Sequence, residues 1–477
     1  MMFGPIRAVA IDDEPAHLLA ITAGLSACGI PCIGYWYDRD TNNLSPAPAK
    51  GGSPYLRLVF MDLNLEEPAG RPEAASLAGV VISVLEQIIS EDGGPYLLIF
   101  WTQIGVRVDE VTALLYQRLK GVLCPLLVTQ LPKATFLLPE PQAHSFGEAL
   151  HEFYSALNGK MDELRGAIKQ AVDSSPELSV ISAWESRASD ASAKAVNSIA
   201  KCARNDVNDP SRVSESIRKI LAGIASAAAG PRTAQKTPCR ALDGGMIEIL
   251  VDQLGTSVED ATYRETLEKA IGESVKNWPQ FEQDVLTCAA LNTFCHLDKE
   301  INEVTPLERG VVISAKSIKG MLGFKPISYL DEFLIPADAF PPELQEEMKA
   351  LERTARASGQ FVLIEAGTDC DHAQDTNRTL RYLLGLEISD NLLKLARFPK
   401  NLKLRNESLQ LLGPWILDDE IKYLLVSCAR FWIWQNRTPQ AQATIKYRLR
   451  SSIITKLLHH YSAFSSRPGI IEFNPTS

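Results

Sequence analysis

Apolar positions change their rhythm along this chain, and the rhythm divides it. As far as Gln142, short unbroken apolar runs alternate with segments of helical spacing. Arg7-Ala8-Val9-Ala10-Ile11 is a strand-like run. The stretch from His17 to Cys28 follows, with Leu18, Leu19, Ile21 and Leu25 recurring near the helical period. Pro31–Trp36, Leu56–Met61, Tyr96–Trp101 and Val122–Thr129 read as further strands. Helices are expected through Val80, Val81, Val84, Leu85 and Ile88, and over Val108–Leu119. The polar segments Asp38–Pro54 and Glu66–Glu73 read as loops. This alternation predicts a doubly wound α/β domain, a five-stranded parallel sheet with helices on both faces joined by right-handed crossovers.

Downstream the rhythm becomes helical. Phe146, Leu150, Phe153, Leu157, Met161, Leu164 and Ile168 predict one long amphipathic helix between Ser145 and Val172. Glu177–Ala229, rich in Ala and Ser, is helical with a break at Asp209-Pro210-Ser211, and Gly230–Asp243 reads as a linker. Helices resume over Met246–Leu254, Tyr263–Val275 and Phe281–His296. The last part reads as α+β, with strands at Val311–Ile313, Phe361–Glu365, Gln410–Leu412 and Tyr423–Val426. Helices are expected there at Pro342–Ala357 and Thr444–Phe464, the latter carrying the basic stretch Lys446-Tyr-Arg-Leu-Arg450 on a solvated face. The expected domains are residues 1–142 (α/β), 143–300 (helical connector or bundle) and 301–477 (α+β).

Composition narrows the function classes. A chain of 477 residues exceeds one ordinary core, and 45% hydrophobic with 22% charged residues excludes wholesale disorder. Lys and Arg total 48 against 58 Asp and Glu, a net charge of -10, which argues against a surface built to grip nucleic acid. No helix-turn-helix with a basic recognition face is visible, and Arg212–Lys219 reads as part of a bundle helix. Nucleic acid is therefore not an expected partner. No apolar run reaches the ~20 residues of a spanning helix, so no membrane is expected. The absence of an export signal and nine irregularly spaced cysteines fit a reduced, cytoplasmic setting.

Chemistry concentrates at the strand ends. Asp12 and Asp13 follow the first strand, Asp62 the third, Thr102 the fourth and Lys133 the fifth. In an open parallel sheet the functional crevice lies outside the carboxyl ends of the strands, so these groups are expected to converge. Three carboxylates alone repel one another, and a hard divalent cation removes the conflict. Mg²⁺ prefers such oxygens and leaves room for phosphate. Lys133 offers a fixed cation and Thr102 a hydroxyl to phosphoryl oxygens, while Asp62 is a carboxylate nucleophile towards phosphorus. Taken singly, the acid pair reads as a helix N-cap, Asp62 as a loop residue, Thr102 as a turn hydroxyl and Lys133 as a solvated cation.

Together, Ile11-Asp12-Asp13-Glu14-Pro15, Met61-Asp62-Leu63-Asn64-Leu65, Trp101-Thr102 and Pro132-Lys133 resemble the receiver domain of bacterial response regulators. The resemblance implies that Asp12 and Asp13 bind Mg²⁺ and that Asp62 accepts a phosphoryl group from a histidine kinase. It further implies that Asn64 lends its backbone carbonyl to the metal, and that Thr102 and Lys133 read the phosphorylated state. The chain departs from the family in its longer intervals, in Pro132 preceding rather than following the Lys, and in Gln130 and Leu131 where a switch aromatic is expected. No ATP-binding motif appears, so the kinase or other phosphodonor is a separate protein, and the C-terminal region is expected to act on a protein partner. Receiver-bearing proteins with large partners that bind no DNA occur in bacterial two-component anti-phage defence, where this chain would serve as regulator or phosphoryl sink. Two rival expectations stand beside this one. In the first, the C-terminal domain is an enzyme with its site at Cys370-Asp371-His372, switched by the receiver; in the second, the domain is a pseudo-receiver scaffold that is never phosphorylated.

Overall fold

The computed structural model describes residues 7–65, 73–102, 107–137, 145–204, 210–256, 261–277, 284–299, 301, 304–317, 329–367, 379–396, 408–434 and 443–465. The chain forms two compact units. One comprises Met1–Ser192 with Thr256–Val275, the other Ala193–Gly255 with Lys276–Ser477.

The first unit opens with β1 (Ala8–Asp12), α1 (Pro15–Ala27), β2 (Cys32–Asp38), β3 (Asn43–Ser45) and β4 (Leu58–Met61). It continues with α2 (Ala74–Ile88), β5 (Leu97–Thr102), α3 (Val108–Arg118), β6 (Leu127–Pro132) and the single turn α4 (Lys133–Phe136). Helices α5 (Phe146–Asn158), α6 (Met161–Asp173) and α7 (Pro176–Arg204) follow. The strand order is β3-β2-β1-β4-β5-β6, parallel except for β3. The sheet thus has six strands where the apolar runs predicted five. The additional one comes from the Asp38–Pro54 insert, expected as a loop. Asn42 takes a left-handed φ of 54°, which Asn tolerates, and turns the chain back so that Asn43–Ser45 pairs antiparallel with Trp36–Asp38.

Alternate residues of each central strand enter opposite layers. Val9, Ile11, Val59, Met61, Leu98 and Phe100 pack beneath α2 and α3. Ala8, Ala10, Phe60, Ile99 and Trp101 pack beneath α1 and α5. Both faces are dry, which is why these strands read as continuous apolar runs. Close approach of α1 to α5 depends on Gly24, where a Cβ would lie 2.5 Å from Leu157 Cδ2. The helix predicted over Ser145–Val172 is two helices, α5 and α6, with the chain turning at Gly159 and Lys160. The hydrophobic period survives that turn because both helices feed one core layer, through Phe153, Leu157, Leu164 and Ile168.

The helical middle comprises the rest of α7 with α8 (Pro210–Ala229), α9 (Pro231–Lys236), α10 (Pro238–Thr256), α11 (Ala261–Lys276) and α12 (Val285–His296). Gly230–Asp243, expected as a linker, is helical. Gly230 breaks the chain at φ 79°, and Pro231 and Pro238 each open a helix, a position where proline's missing N–H is not needed.

The second unit contains β7 (Leu297–Asp298), β8 (Val311–Ser314), α13 (Leu330–Phe333), α14 (Gln345–Ser358) and β9 (Gln360–Glu365). Strands β10 (Leu380–Ser389), β11 (Leu409–Leu417), β12 (Glu420–Trp434) and β13 (Ile445–Leu449) precede α15 (Ser451–Ser465). Its seven strands pair antiparallel in the order β11-β12-β10-β9-β8-β13-β7. Met348 and Ala355 of α14 enter the core on one face; Ile453, Ile454 and Leu457 of α15 enter the core on the other. The helix expected over Thr444–Phe464 begins only at Ser451, because Ile445–Leu449 pairs with β8 and β7. The basic stretch there is correspondingly tied down. Lys446 bonds Glu387 and Gln360, Arg448 donates to the Arg309 carbonyl, and Arg450 donates to the Leu297 carbonyl. Cys370-Asp371-His372 lies outside the described residues. Among the described residues, no helix is long and apolar enough to cross a membrane.

Candidate functional site

Lys133 organises the carboxyl edge of the first sheet. Pro132 ends the edge strand β6, where no ladder donor is required of it, and its register partner is Thr102 at the end of β5. Lys133 therefore emerges beside the ends of the inner strands. Its side chain is 2% exposed, with Nζ 2.7 Å from Asp12 Oδ2 and 2.5 Å from Asp62 Oδ2. A buried ammonium persists only when paired, and here two carboxylates share it. Burial by itself would lower the Lys133 pKa; the charges of Asp12 and Asp62 outweigh that and hold it above its ordinary value.

Each acid is placed by backbone. Asp12, the last residue of β1, is buried and accepts the Glu14 N–H through Oδ1 at 3.0 Å. Asp62 directly follows β4, donates its own N–H to the Ile11 carbonyl at 2.9 Å, and accepts the Asn64 N–H through Oδ1 at 3.1 Å. Asn64 also donates Nδ2–H to Thr102 Oγ1 at 3.1 Å, linking the β4 and β5 ends. Asp12 Oδ2 is ion-paired with Lys133. Burial, reinforced by the charge of Asp62 and opposed by Lys133, pushes the Asp12 carboxyl up to about 7.

Asp13 completes the cluster. One carboxylate oxygen from each of Asp12, Asp13 and Asp62 lies within 4.8 Å of the others, a set of hard oxygen donors that fits a divalent cation such as Mg²⁺. The structure thus brings Asp12, Asp13, Asp62 and Lys133 into one cluster, with Thr102 joined to it through Asn64. Two neighbours were not visible in the sequence. The Trp36 indole N–H donates to the Asp13 carbonyl at 2.8 Å, and the Arg39 guanidinium ion-pairs with the Asp13 carboxylate. Both come from β2 and the turn after it, within or beside an insert of polar loop composition that carries no local signal of such contacts.

His17, in the first turn of α1, is buried and feels the charges of Lys133 and Asp62. Its ring stands 4.7 Å from that of Phe153, and Nδ1 is buried without a hydrogen bond. Burial, with the Lys133 charge, lowers its pKa from 6.5 to about 4. Between those values the unfolded chain takes a proton that the folded chain refuses, so the contribution is complete above pH 6.5 and is lost as pH falls towards 4. The loss amounts to about 3 kcal/mol. Asp12 titrates in the opposite sense, so the signature is a difference. Urea unfolding of wild type and His17→Phe across this window is expected to show the wild type losing that much more stability on acidification.

No family model, curated protein or solved structure matches the chain, so the reading of this site rests on its own geometry.

Proposed function

We propose that the first unit is a receiver-type phosphoacceptor, in which Asp62 takes a phosphoryl group from a phosphohistidine or comparable donor protein. The observation that carries this reading is the buried Lys133 ammonium held between Asp62 and Asp12 at the carboxyl edge of a parallel sheet. With the hairpin strand β3 left aside, the order β2-β1-β4-β5-β6 is the doubly wound arrangement whose crevice opens between β1 and β4. Asp12 and Asp62 stand at those two strand ends.

Asp12, Asp13 and Asp62 would hold Mg²⁺, whose charge, when bound, offsets that of the incoming phosphoryl oxygens. In the transfer, an Asp62 carboxylate oxygen forms the new P–O bond while the donor's P–N bond breaks. The electron pair stays on the donor imidazole, which takes a proton from solvent. Lys133 re-aims from the carboxylate pair to a phosphoryl oxygen, and the Thr102 hydroxyl donates to another. Added charge at Asp62 then shifts a two-state equilibrium that the second unit relays to a protein partner.

The test is incubation of the full chain with acetyl phosphate and Mg²⁺, followed by intact-mass analysis. One added phosphoryl group per chain, removed by hydroxylamine as an acyl phosphate is, supports the reading. No uptake from acetyl phosphate or from a kinase preparation would overturn it in favour of a scaffold that keeps the fold without the chemistry.

A further inference from the structure

Arg39 gives the acidic cluster a cation of its own. Strand β2 runs parallel to β1 with Trp36 in register with Asp12, so the residues just beyond Trp36 reach the same sheet edge as Asp13. The turn there is braced. Asp38 accepts from the Asp40 N–H and the Thr41 hydroxyl at 3.1 and 2.7 Å, and the Tyr37 hydroxyl donates to Asn42 Oδ1 at 2.9 Å. That brace presents Arg39, whose Nη2 ion-pairs with Asp13 Oδ2 and whose Nε donates to the Leu65 carbonyl at 3.1 Å. One side chain therefore joins a cluster carboxylate to the backbone just past the acceptor aspartate.

The two cations at this site differ in exposure. Lys133 is sealed between two carboxylates at 2% exposure, whereas the Arg39 side chain is 37% exposed and its Asp13 partner only 6%. A divalent cation bound at Asp13 would compete for the same oxygen lone pairs and repel a guanidinium at contact distance. Of the two, Arg39 is the one whose side chain already reaches water. We propose that Arg39 is a built-in competitor of the divalent cation: it holds Asp13 in the unloaded site, and loading displaces it from both Asp13 and the Leu65 carbonyl. Cation occupancy is thereby converted into release of the β2–β3 hairpin from the segment that follows Asp62. This inference rests on the phosphoacceptor reading, in which the three acids take a divalent cation.

Calorimetric titration of the full chain with Mg²⁺ and with Mn²⁺ tests it. Trp36 fluorescence provides a second readout, with Trp36→Phe as its control. Arg39→Ala is expected to bind either cation about fivefold tighter than wild type, and Arg39→Lys to fall between them. Raising ionic strength is expected to narrow the gap, since it weakens the exposed ion pair that competes. Equal or weaker binding by both variants, in a wild type that binds the cation and takes up phosphoryl from acetyl phosphate, overturns the competitor role and leaves the phosphoacceptor reading standing. Absence of cation binding in all three chains overturns both.

Discussion

Replacing Lys133 by alanine is expected to lower the stability of the metal-free protein by about 3–5 kcal/mol, the usual consequence of removing one partner from a buried ionic cluster. The side chain is almost wholly enclosed, and its loss leaves Asp12 and Asp62 facing each other without the ammonium that links them. Asp12 already sits at about 7 with Lys133 present; without that charge it would take up a proton at neutral pH. Urea unfolding followed by tryptophan emission reads the change, because Trp101 stacks on Phe136 at 5.6 Å within the turn that Lys133 opens. A divalent cation should raise the unfolding midpoint of Lys133→Ala more than that of wild type, since it replaces part of the missing positive charge. A triple variant, Lys133→Met with Asp12→Asn and Asp62→Asn, is expected to recover most of the loss, which separates the electrostatic cause from the packing cause. An unchanged midpoint in Lys133→Ala would mean that the cluster is not held together by this cation.

Asp62→Asn is expected to abolish phosphoryl uptake outright while leaving the fold in place. The amide offers no anionic oxygen to phosphorus, and no other cluster carboxylate is equivalent. Asp12 is more deeply buried than Asp62, and Asp13 is engaged by Arg39. Stability is expected to move by no more than about 1 kcal/mol, because Lys133 keeps one full partner in Asp12 and the repulsion between the two acids disappears. The measurement is mass analysis after acetyl phosphate and Mg²⁺, paired with urea unfolding of the same preparation. Uptake persisting in this variant would assign the acceptor to a different residue.

The two variants pull apart properties that the sequence presents together. Asp12, Asp62 and Thr102 were legible as neighbours because each follows an apolar run, and Lys133 because it lies near the end of Val122–Thr129; parallel strands deliver their ends to a single edge. Their ionic pairing was not legible, since it depends on how far a buried side chain reaches across β1 and β4. Arg39 was hidden for a different reason. Its partners, Asp13 and Leu65, are each 26 residues away in sequence, in opposite directions, and a lone Arg in a polar turn looks solvated. In the second unit, β10 was missed although it pairs with both β9 and β12. Leu384 and Leu386 enter one core and Leu383 the other, so the alternation that marks a half-exposed strand is absent. Gly385 adds to the disguise. It interrupts the run like a turn residue, yet a Cβ there would meet Leu424, Val362 and Ile364, so glycine is what lets the neighbouring side chains close over the strand. The start of α15 was placed too early although Lys446, Arg448 and Arg450 alternate with Ile445, Tyr447 and Leu449 at the strand period of two, the period of the residues that pair as β13.

The three residues of β3 have a consequence for association. A seven-residue β2 without a neighbour would present a bare row of backbone donors and acceptors, a ready template for a foreign strand. Asn43–Ser45 occupies one end of that row and is itself too short to recruit another chain. At the far margin, Pro132 removes a donor from β6. Each border of the sheet thus carries a feature that hinders edge-to-edge pairing, and on one side that feature belongs to the same hairpin that carries Arg39.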